Sequence, residues 1–246
     1  LINANIPYYF YILCNRFFLK VFHTSGLGAY VFFMSLISGS PSNAYILKEL
    51  VEKEKLTEKE ASHLLTFTYF SNPLFLTMML SSMFTMKETI KIILIHYLAN
   101  VIIGILIRKK APQISKNNQK LKESNQKNTL TKSINKAITT LLMILGTVTF
   151  YMLITYILTT LLGNNVLLKT GISGFLEITN GLNNLAMLNI STELKEVIAI
   201  AIISFGGLSI HTQIKAILED TKICYRFFLK GRIMHACIGV LLIMIF

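Results

Sequence analysis

Glu177 is the only acidic residue between Glu123 and Glu193, and it lies inside an apolar stretch. An ionisable group within a membrane segment costs at least ~2.5 kcal/mol, so it marks a functional site unless it snorkels to the interface. Asn180 follows three residues later on the same helical face. Ser204, Gly206, Gly207, His211 and Gln213 cluster at a second place, around a Gly-Gly break in another apolar stretch. Earlier in the chain a polar tip, Ser38-Gly39-Ser40-Pro41-Ser42-Asn43, interrupts apolar sequence, and Asn72-Pro73 interrupts it again. Hydroxyls, amides and helix starts at such breaks donate hydrogen bonds to a carboxylate, while free carbonyls and a carboxylate hold a cation. The chemistry on offer is therefore solute binding with coupling to H⁺ or Na⁺ through Glu177. Helix starts at Pro41 and near Gly181 would supply positive dipole ends, and Ser38, Ser40 and Ser42 would add donors.

Catalytic patterns are missing. HExxH, GxSxG and P-loop motifs do not occur, so no enzyme, catalytic residue, metal or cofactor is expected. Cys14, Cys224 and Cys237 form no CxxC pair, which excludes a zinc ribbon and a disulfide framework. His96 and Asn100 lie one turn apart in an apolar span and suit contacts between helices. His23, His63 and His235 fall near expected membrane edges and support no claim.

The elements that position these residues follow from composition. Of 246 residues, 53% are hydrophobic and 15% charged, with a net charge of +12. A soluble domain carries about 25% charged residues. Apolar runs long enough for a bilayer cover 137–162 and 89–107, with 2–22 a third and 233–246 the start of a fourth. Shorter, interrupted apolar segments lie between them, as in re-entrant hairpins and discontinuous helices. From Arg108 to Lys136 the chain is polar and basic, and it lacks the aromatic interleaving of a nucleic-acid binder. With this linker in the cytoplasm, only Lys87, Lys91, Lys169 and Lys195 of the 24 Lys and Arg residues lie outside, as the positive-inside rule requires.

A shift of 135 residues superposes the interrupted regions. Ile37-Ser38-Gly39 falls on Ile172-Ser173-Gly174, Thr57-Glu58 on Thr192-Glu193, and Phe70 on Phe205, with Leu47 and Leu50 on Leu182 and Leu185. Ser40 is placed to cap a helix opening at Pro41, and Thr57 with Glu60 forms a capping box. Pro73 and Gly206-Gly207 break the two long helices. The expected architecture is an all-α polytopic membrane protein of two inverted repeats, each a re-entrant hairpin plus a broken transmembrane helix, with flanking transmembrane helices. The first repeat covers 1–107, with its hairpin at about 26–55 and its broken helix at about 57–86. The linker covers 108–136. The second repeat covers 137–246, with the hairpin at about 166–190 and the broken helix at about 192–218.

Ser38-Gly39-Ser40-Pro41-Ser42-Asn43-Ala44, Leu64-Leu65-Thr66-Phe67 and Ser71-Asn72-Pro73-Leu74-Phe75 resemble the first half of the sporulation integral membrane protein YlbJ family. Gly174-Phe175-Leu176-Glu177-Ile178-Thr179-Asn180-Gly181 and Ser204-Phe205-Gly206-Gly207-Leu208-Ser209-Ile210-His211-Thr212-Gln213 resemble its second half. The resemblance runs from about Phe17 onward. Ser40 stands where an aromatic is common, and the usual N-terminal helices are missing. The resemblance implies a nucleoside-recognition (Gate) domain similar to the core of concentrative nucleoside transporters. It further implies a transporter-like role in sporulation that moves a small anionic or polar solute, dipicolinate first, in the bacterial cell membrane or the outer forespore membrane. A nucleoside-type transporter and a non-transporting scaffold of a forespore membrane complex are the alternatives. The implied partners are membrane lipid, the solute and a coupling H⁺ or Na⁺, with a homo-oligomer left open and no nucleic acid.

Overall fold

The computed structural model describes residues 6–112, 129–162 and 165–246. Most of the expected linker, 113–128, lies outside the described residues. Among the described residues, twelve α-helices fall into two sets of six. The first set is α1 (Ile6–Phe22), α2 (Gly26–Ser38), α3 (Ser42–Glu52), α4 (Glu58–Leu65), α5 (Pro73–Leu80) and α6 (Met86–Ile107). The second is α7 (Thr129–Leu161), α8 (Val166–Leu176), α9 (Ile178–Ala186), α10 (Thr192–Phe205), α11 (Gly207–Leu218) and α12 (Tyr225–Ile245). Four stretches among the described residues are long and apolar enough to cross a membrane: Met86–Lys110, Ser133–Leu161, Thr192–Leu218 and Tyr225–Ile245. The pair α1 and α2, bent by 94° at a short break, makes a fifth if counted as one span. The chain is thus a multi-pass, all-helical membrane protein with no strand among the described residues.

Local sequence explains where helices begin. Thr57 accepts a bond from the Glu60 amide while the Glu60 carboxylate accepts from the Thr57 amide, a complete capping box at the start of α4. Thr85 and Glu88 repeat it at α6. Two expected starts move. The helix after the first tip opens at Ser42 rather than Pro41, with Pro41 as its unbonded cap, and Ser40 does not cap it. The helix α10 is capped by Ser191, whose hydroxyl accepts from the Leu194 amide, so Thr192 is already its first residue. α7 starts at Thr129, inside the sequence expected to be linker.

Two apolar clusters form the interior. One joins Phe18, Phe22, Phe32, Phe67 and Phe70 to Ile214 and Phe228, so α11 and α12 of the second set pack into the first. The other packs Leu76, Ile92 and Ile95 against Leu182, Leu185, Ala199 and Ile203. An ion pair between half-buried Lys91 and buried Glu196, at 2.5 Å, also ties α6 to α10. The outside of α7 shows the opposite character. Leu141, Leu145, Leu153 and Tyr156 are all exposed, a surface that suits lipid.

Candidate functional site

Four pieces of non-helical backbone meet near the centre of the molecule. The first is the tip Gly39–Pro41 between α2 and α3, where Gly39 has φ 73° and sits so close to the Asn72 amide that a Cβ would lie 2.9 Å from it. The second is the stretch from Thr66 to Asn72 between α4 and α5. The third is Glu177, the single residue separating α8 from α9. The fourth is Gly206 (φ 93°) between α10 and α11; a Cβ there would lie 2.9 Å from the Tyr69 hydroxyl, and one on Gly207 would lie 3.2 Å from the Glu177 backbone. Each tip therefore touches the break of its own half, and the two breaks touch each other through Tyr69.

Unwound backbone at membrane depth must find partners for its donors and acceptors. In the first break α6 supplies them. His96 Nε2 accepts from the Ser71 amide (3.1 Å), the Tyr97 hydroxyl donates to the Ser71 carbonyl (3.2 Å), and the Asn100 amide donates to the Tyr69 carbonyl. The Ser40 amide donates to the Phe70 carbonyl (2.9 Å), and the Asn72 side chain donates to the Ile37 carbonyl (2.8 Å), which pins the tip to the break. Asn72 also caps α5 by accepting from the Leu74 and Phe75 amides. His96 and Asn100 thus hold helices together, as their spacing in an apolar span suggests.

Arg232 joins the two breaks. It is fully buried in α12, two turns from the helix start. Nη2 donates to the Thr66 carbonyl (3.4 Å) and the Asn100 side-chain oxygen (3.2 Å), and Nη1 donates to the Ser204 carbonyl (3.3 Å) and His235 Nδ1 (2.7 Å). His235 in turn donates from Nε2 to the His96 carbonyl (2.8 Å). The guanidinium lies 4.0 Å from the centre of the Tyr69 ring and 5.4 Å from that of Phe228. Thr66 and Ser204 close the helices α4 and α10, so one cation sits at the negative ends of both half-helices. The sequence reading places Arg232 in a cytoplasmic loop and gives His235 no role. The structure corrects both, because α12 opens at Tyr225 rather than near Ile233.

A cavity of about 270 Å³ opens where the four pieces meet. Ser40, Ser71, Asn72, Glu177, Thr179, Ser209 and Gln213 line it with polar atoms, together with Tyr69, Phe75, Ile144, Val148, Ile178 and Ile210. The hydroxyls of Ser40, Tyr69 and Ser209 are buried and have no hydrogen-bond partner. Glu177 is 4% exposed and caps α9: Oε1 accepts from the Thr179 hydroxyl (2.7 Å) and Oε2 from the Asn180 amide (2.9 Å). That helix begins at Ile178, so the start expected near Gly181 lies a turn earlier and already carries its own carboxylate. Gln213 donates to Thr147 on α7 (2.9 Å), which fixes the wall between α11 and α7.

A second cavity of about 510 Å³ shares Ser40 and Ile144 with the first. Ser38, Pro41, Ser42, Tyr45, Glu49, Ser133, Lys136 and Thr140 line it. Glu49 holds Lys136 and Lys53 at 2.8 Å each, and Lys136 also stands over the Tyr45 ring. Along α7 the two cavities extend from Ser133 to Val148, roughly 22 Å at the helical rise.

Of the residues singled out from sequence, Ser40, Asn72, Glu177 and Gln213 line the first cavity, and Ser38 and Ser42 join Ser40 in the second. The others lie off both linings. Gly181 packs against Gly174, where a Cβ would fall 2.2 Å from backbone. His211 bridges the Phe205 carbonyl (3.1 Å) and the Tyr225 hydroxyl (2.7 Å). Asn43 is buried with its side-chain amide unpartnered, and the Ser204 hydroxyl is buried beside Gly239. Asn180 contributes its backbone amide to Glu177. Gly39, Gly206 and Gly207 shape backbone at the tips. Sequence reasoning missed Tyr69, Ser209 and Arg232. The signal for the first two was proximity to a break, three residues from Asn72 and from Gly206.

No family model matches the chain, and no solved structure matches it. Its sequence is similar to the sporulation integral membrane protein YlbJ of Bacillus subtilis (strain 168), at 26% identity over an alignment that takes in 100% of this chain and 70% of that protein. The similarity takes in the full length of this chain, and that relative is an integral membrane protein of sporulation.

Proposed function

We propose that this chain carries a small anionic or polar solute across a bacterial membrane during sporulation, with dipicolinate the first candidate and a nucleoside the second. The observation that carries the reading is the 270 Å³ cavity at the meeting point of two tips and two breaks, lined by three buried hydroxyls without partners. Concave sites with a few convergent polar groups on otherwise apolar walls are where small molecules bind. Two sets of six helices in the same order fit an inverted-repeat, Gate-like carrier whose site lies at the repeat interface. The printed role of the Bacillus relative supports the sporulation setting, and the outer forespore membrane is the location this reading favours. The second cavity, running toward the start of α7, is the access path from the linker side, and the Glu49–Lys136 pair is its mouth. Glu177 couples solute movement to H⁺ or Na⁺. No enzymatic step belongs to this reading.

The experiment is uptake into proteoliposomes of dipicolinate and uridine, with and without an imposed pH or sodium gradient. Dipicolinate should accumulate, and a gradient should raise its rate. Glu177→Gln should bind solute and lose the gradient response, whereas a retained response removes Glu177 from coupling. Passage of neither solute would favour the scaffold.

A further inference from the structure

The lining of the first cavity poses an electrostatic difficulty for an anion. Among its described residues there is no Lys, Arg or His, and the single ionisable carboxyl is that of Glu177. Of the two helix starts expected to hold an anion, the one at Pro41 opens at Ser42 and lines the second cavity rather than the first, and the one near Gly181 already carries a carboxylate. Glu177 occupies the start of α9, and Asn72 occupies the start of α5, where Pro73 has no N–H to offer. What remains facing the cavity is hydroxyls and amides, which would serve a neutral ligand equally well.

One positive charge stands just behind this wall. The Arg232 guanidinium lies against one face of the Tyr69 ring, 4.0 Å from its centre, and the hydroxyl of the same ring lines the cavity with no partner. No carboxylate among the described residues pairs with Arg232; its acceptors are the Thr66 and Ser204 carbonyls, the Asn100 side-chain oxygen and His235. Neutral acceptors solvate a guanidinium but leave its net charge in place. An anion accepting a hydrogen bond from the Tyr69 hydroxyl would lie roughly 7 Å from that charge, well within reach in a buried, unscreened setting.

We propose that Arg232 is the residue that sets charge selectivity in this site: without touching the solute, it makes a cavity lined by neutral hydroxyls prefer an anion, through the Tyr69 ring. The inference rests on the reading of the cavity as a solute site. Tyr69 is the contact residue, and Arg232 positions it and supplies the field. The same guanidinium takes up the carbonyls at both breaks, where a second cation would otherwise be expected to sit.

The test uses the full chain, purified in detergent, and two probes of nearly one shape: pyridine-2,6-dicarboxylate, doubly ionised at pH 7, and its neutral diamide, pyridine-2,6-dicarboxamide. The quantity read is the ratio of their dissociation constants. Arg232→Gln should lower the preference for the dicarboxylate about tenfold or more while the diamide binds as before, a loss expected from removing one unscreened charge at this distance. Arg232→Lys should keep the preference. Because Arg232→Gln removes bonds from both breaks, Asn100→Asp provides a second variant. It sets a carboxylate against Nη2 without changing side-chain volume and, although it also takes the donor from the Tyr69 carbonyl, it leaves the guanidinium and its bonds to both breaks in place; compared at matched folded fraction, it should cut the preference in the same way. An unchanged ratio in both neutralising variants, or equal weakening of both probes, would overturn the inference and make Arg232 a purely structural clamp. If the unaltered protein holds the diamide as tightly as the dicarboxylate, the anionic reading of the site is what fails, and the role of Arg232 fails with it.

Discussion

The two helix breaks do the same job by different means. Between α4 and α5 seven residues, Thr66 to Asn72, lie outside helix, whereas between α10 and α11 one residue, Gly206, turns the chain in the left-handed conformation. A long irregular stretch exposes many amides and carbonyls, so it must borrow partners. The first break takes them from His96, Tyr97 and Asn100 on α6. A one-residue break leaves few groups free, and the second needs only His211 on the Phe205 carbonyl and Arg232 on the Ser204 carbonyl. The first break therefore depends on side chains of a neighbouring helix, and the second depends on the conformational freedom of two successive glycines, Gly206 (φ 93°) and Gly207 (φ 65°). Arg232 is what they have in common.

The largest effect should come from the borrowed partners. Asn100→Leu strips the Tyr69 carbonyl of its donor and Arg232 of an acceptor, leaving two buried polar groups unpaired. Each such group costs about 1–3 kcal/mol, so a loss of about 3 kcal/mol or more is expected. The counterpart in the second break, His211→Leu, leaves the Phe205 carbonyl and the Tyr225 hydroxyl unpaired, and Tyr225 is only half-buried. Its cost should be smaller. Chemical unfolding of both variants in detergent decides the order, and an equal or reversed order would contradict the asymmetry.

Gly206→Ala attacks the second break where it is most sensitive. A left-handed residue with a Cβ costs about 1–2 kcal/mol, and the new atom would also press on the Tyr69 hydroxyl at 2.9 Å. The hydroxyl has no partner to lose, so Tyr69→Phe by itself should alter stability little. In the Tyr69→Phe background the penalty of Gly206→Ala should shrink by about 1 kcal/mol, a coupling that a double-mutant cycle measures directly. Purely additive penalties would mean that the two breaks are independent.

These variants also show what the sequence made visible. Gly206-Gly207, Asn72-Pro73 and the Ser40 tip announce themselves through residue types that cannot continue a helix, and all three lie where the irregular backbone converges. Four of the expected spans are present because apolar length is a strong local signal. Glu177 stands out as a lone acid, but its service as the cap of α9 depends on a helix start that its flanking residues do not advertise. Arg232 was hidden for a different reason. A charge in an apolar run ordinarily marks the end of a span, and its acceptors are backbone carbonyls of residues 28 and 166 positions away, which no local pattern encodes.

Asn72→Ala should rank third. It removes the cap of α5, worth about 1 kcal/mol, and the bond that ties the Ile37 carbonyl of the tip to the break. Beyond the stability loss, the tip is freed from the cavity wall. Binding of dipicolinate should weaken more than binding to His211→Leu of matched stability, because Asn72 lines the cavity and His211 does not. A loss of stability with unchanged binding would place the tip–break contact outside the site.

The smallest effect is expected at the residue that looks most disruptive in the sequence. Pro73 sits at the first position of α5, where its missing N–H is one of the donors a helix leaves free and its fixed φ suits the start. The chain has already left helix at Thr66, seven residues earlier, and the polar groups of the stretch are held by α6, the tip and Arg232. Pro73→Ala restores a donor but removes none of these partners. Stability should change by about 0.5 kcal/mol or less, since the Asn72 cap continues to define the helix start. Hydrogen exchange at the amides of Thr68 to Ser71 should keep its wild-type rates, and dipicolinate binding should be unaltered. Slowed exchange across that stretch, the sign of a helix closing through 66–72, would show that the proline enforces the first break, and the contrast between a break held by side chains and a break held by backbone conformation alone would then collapse.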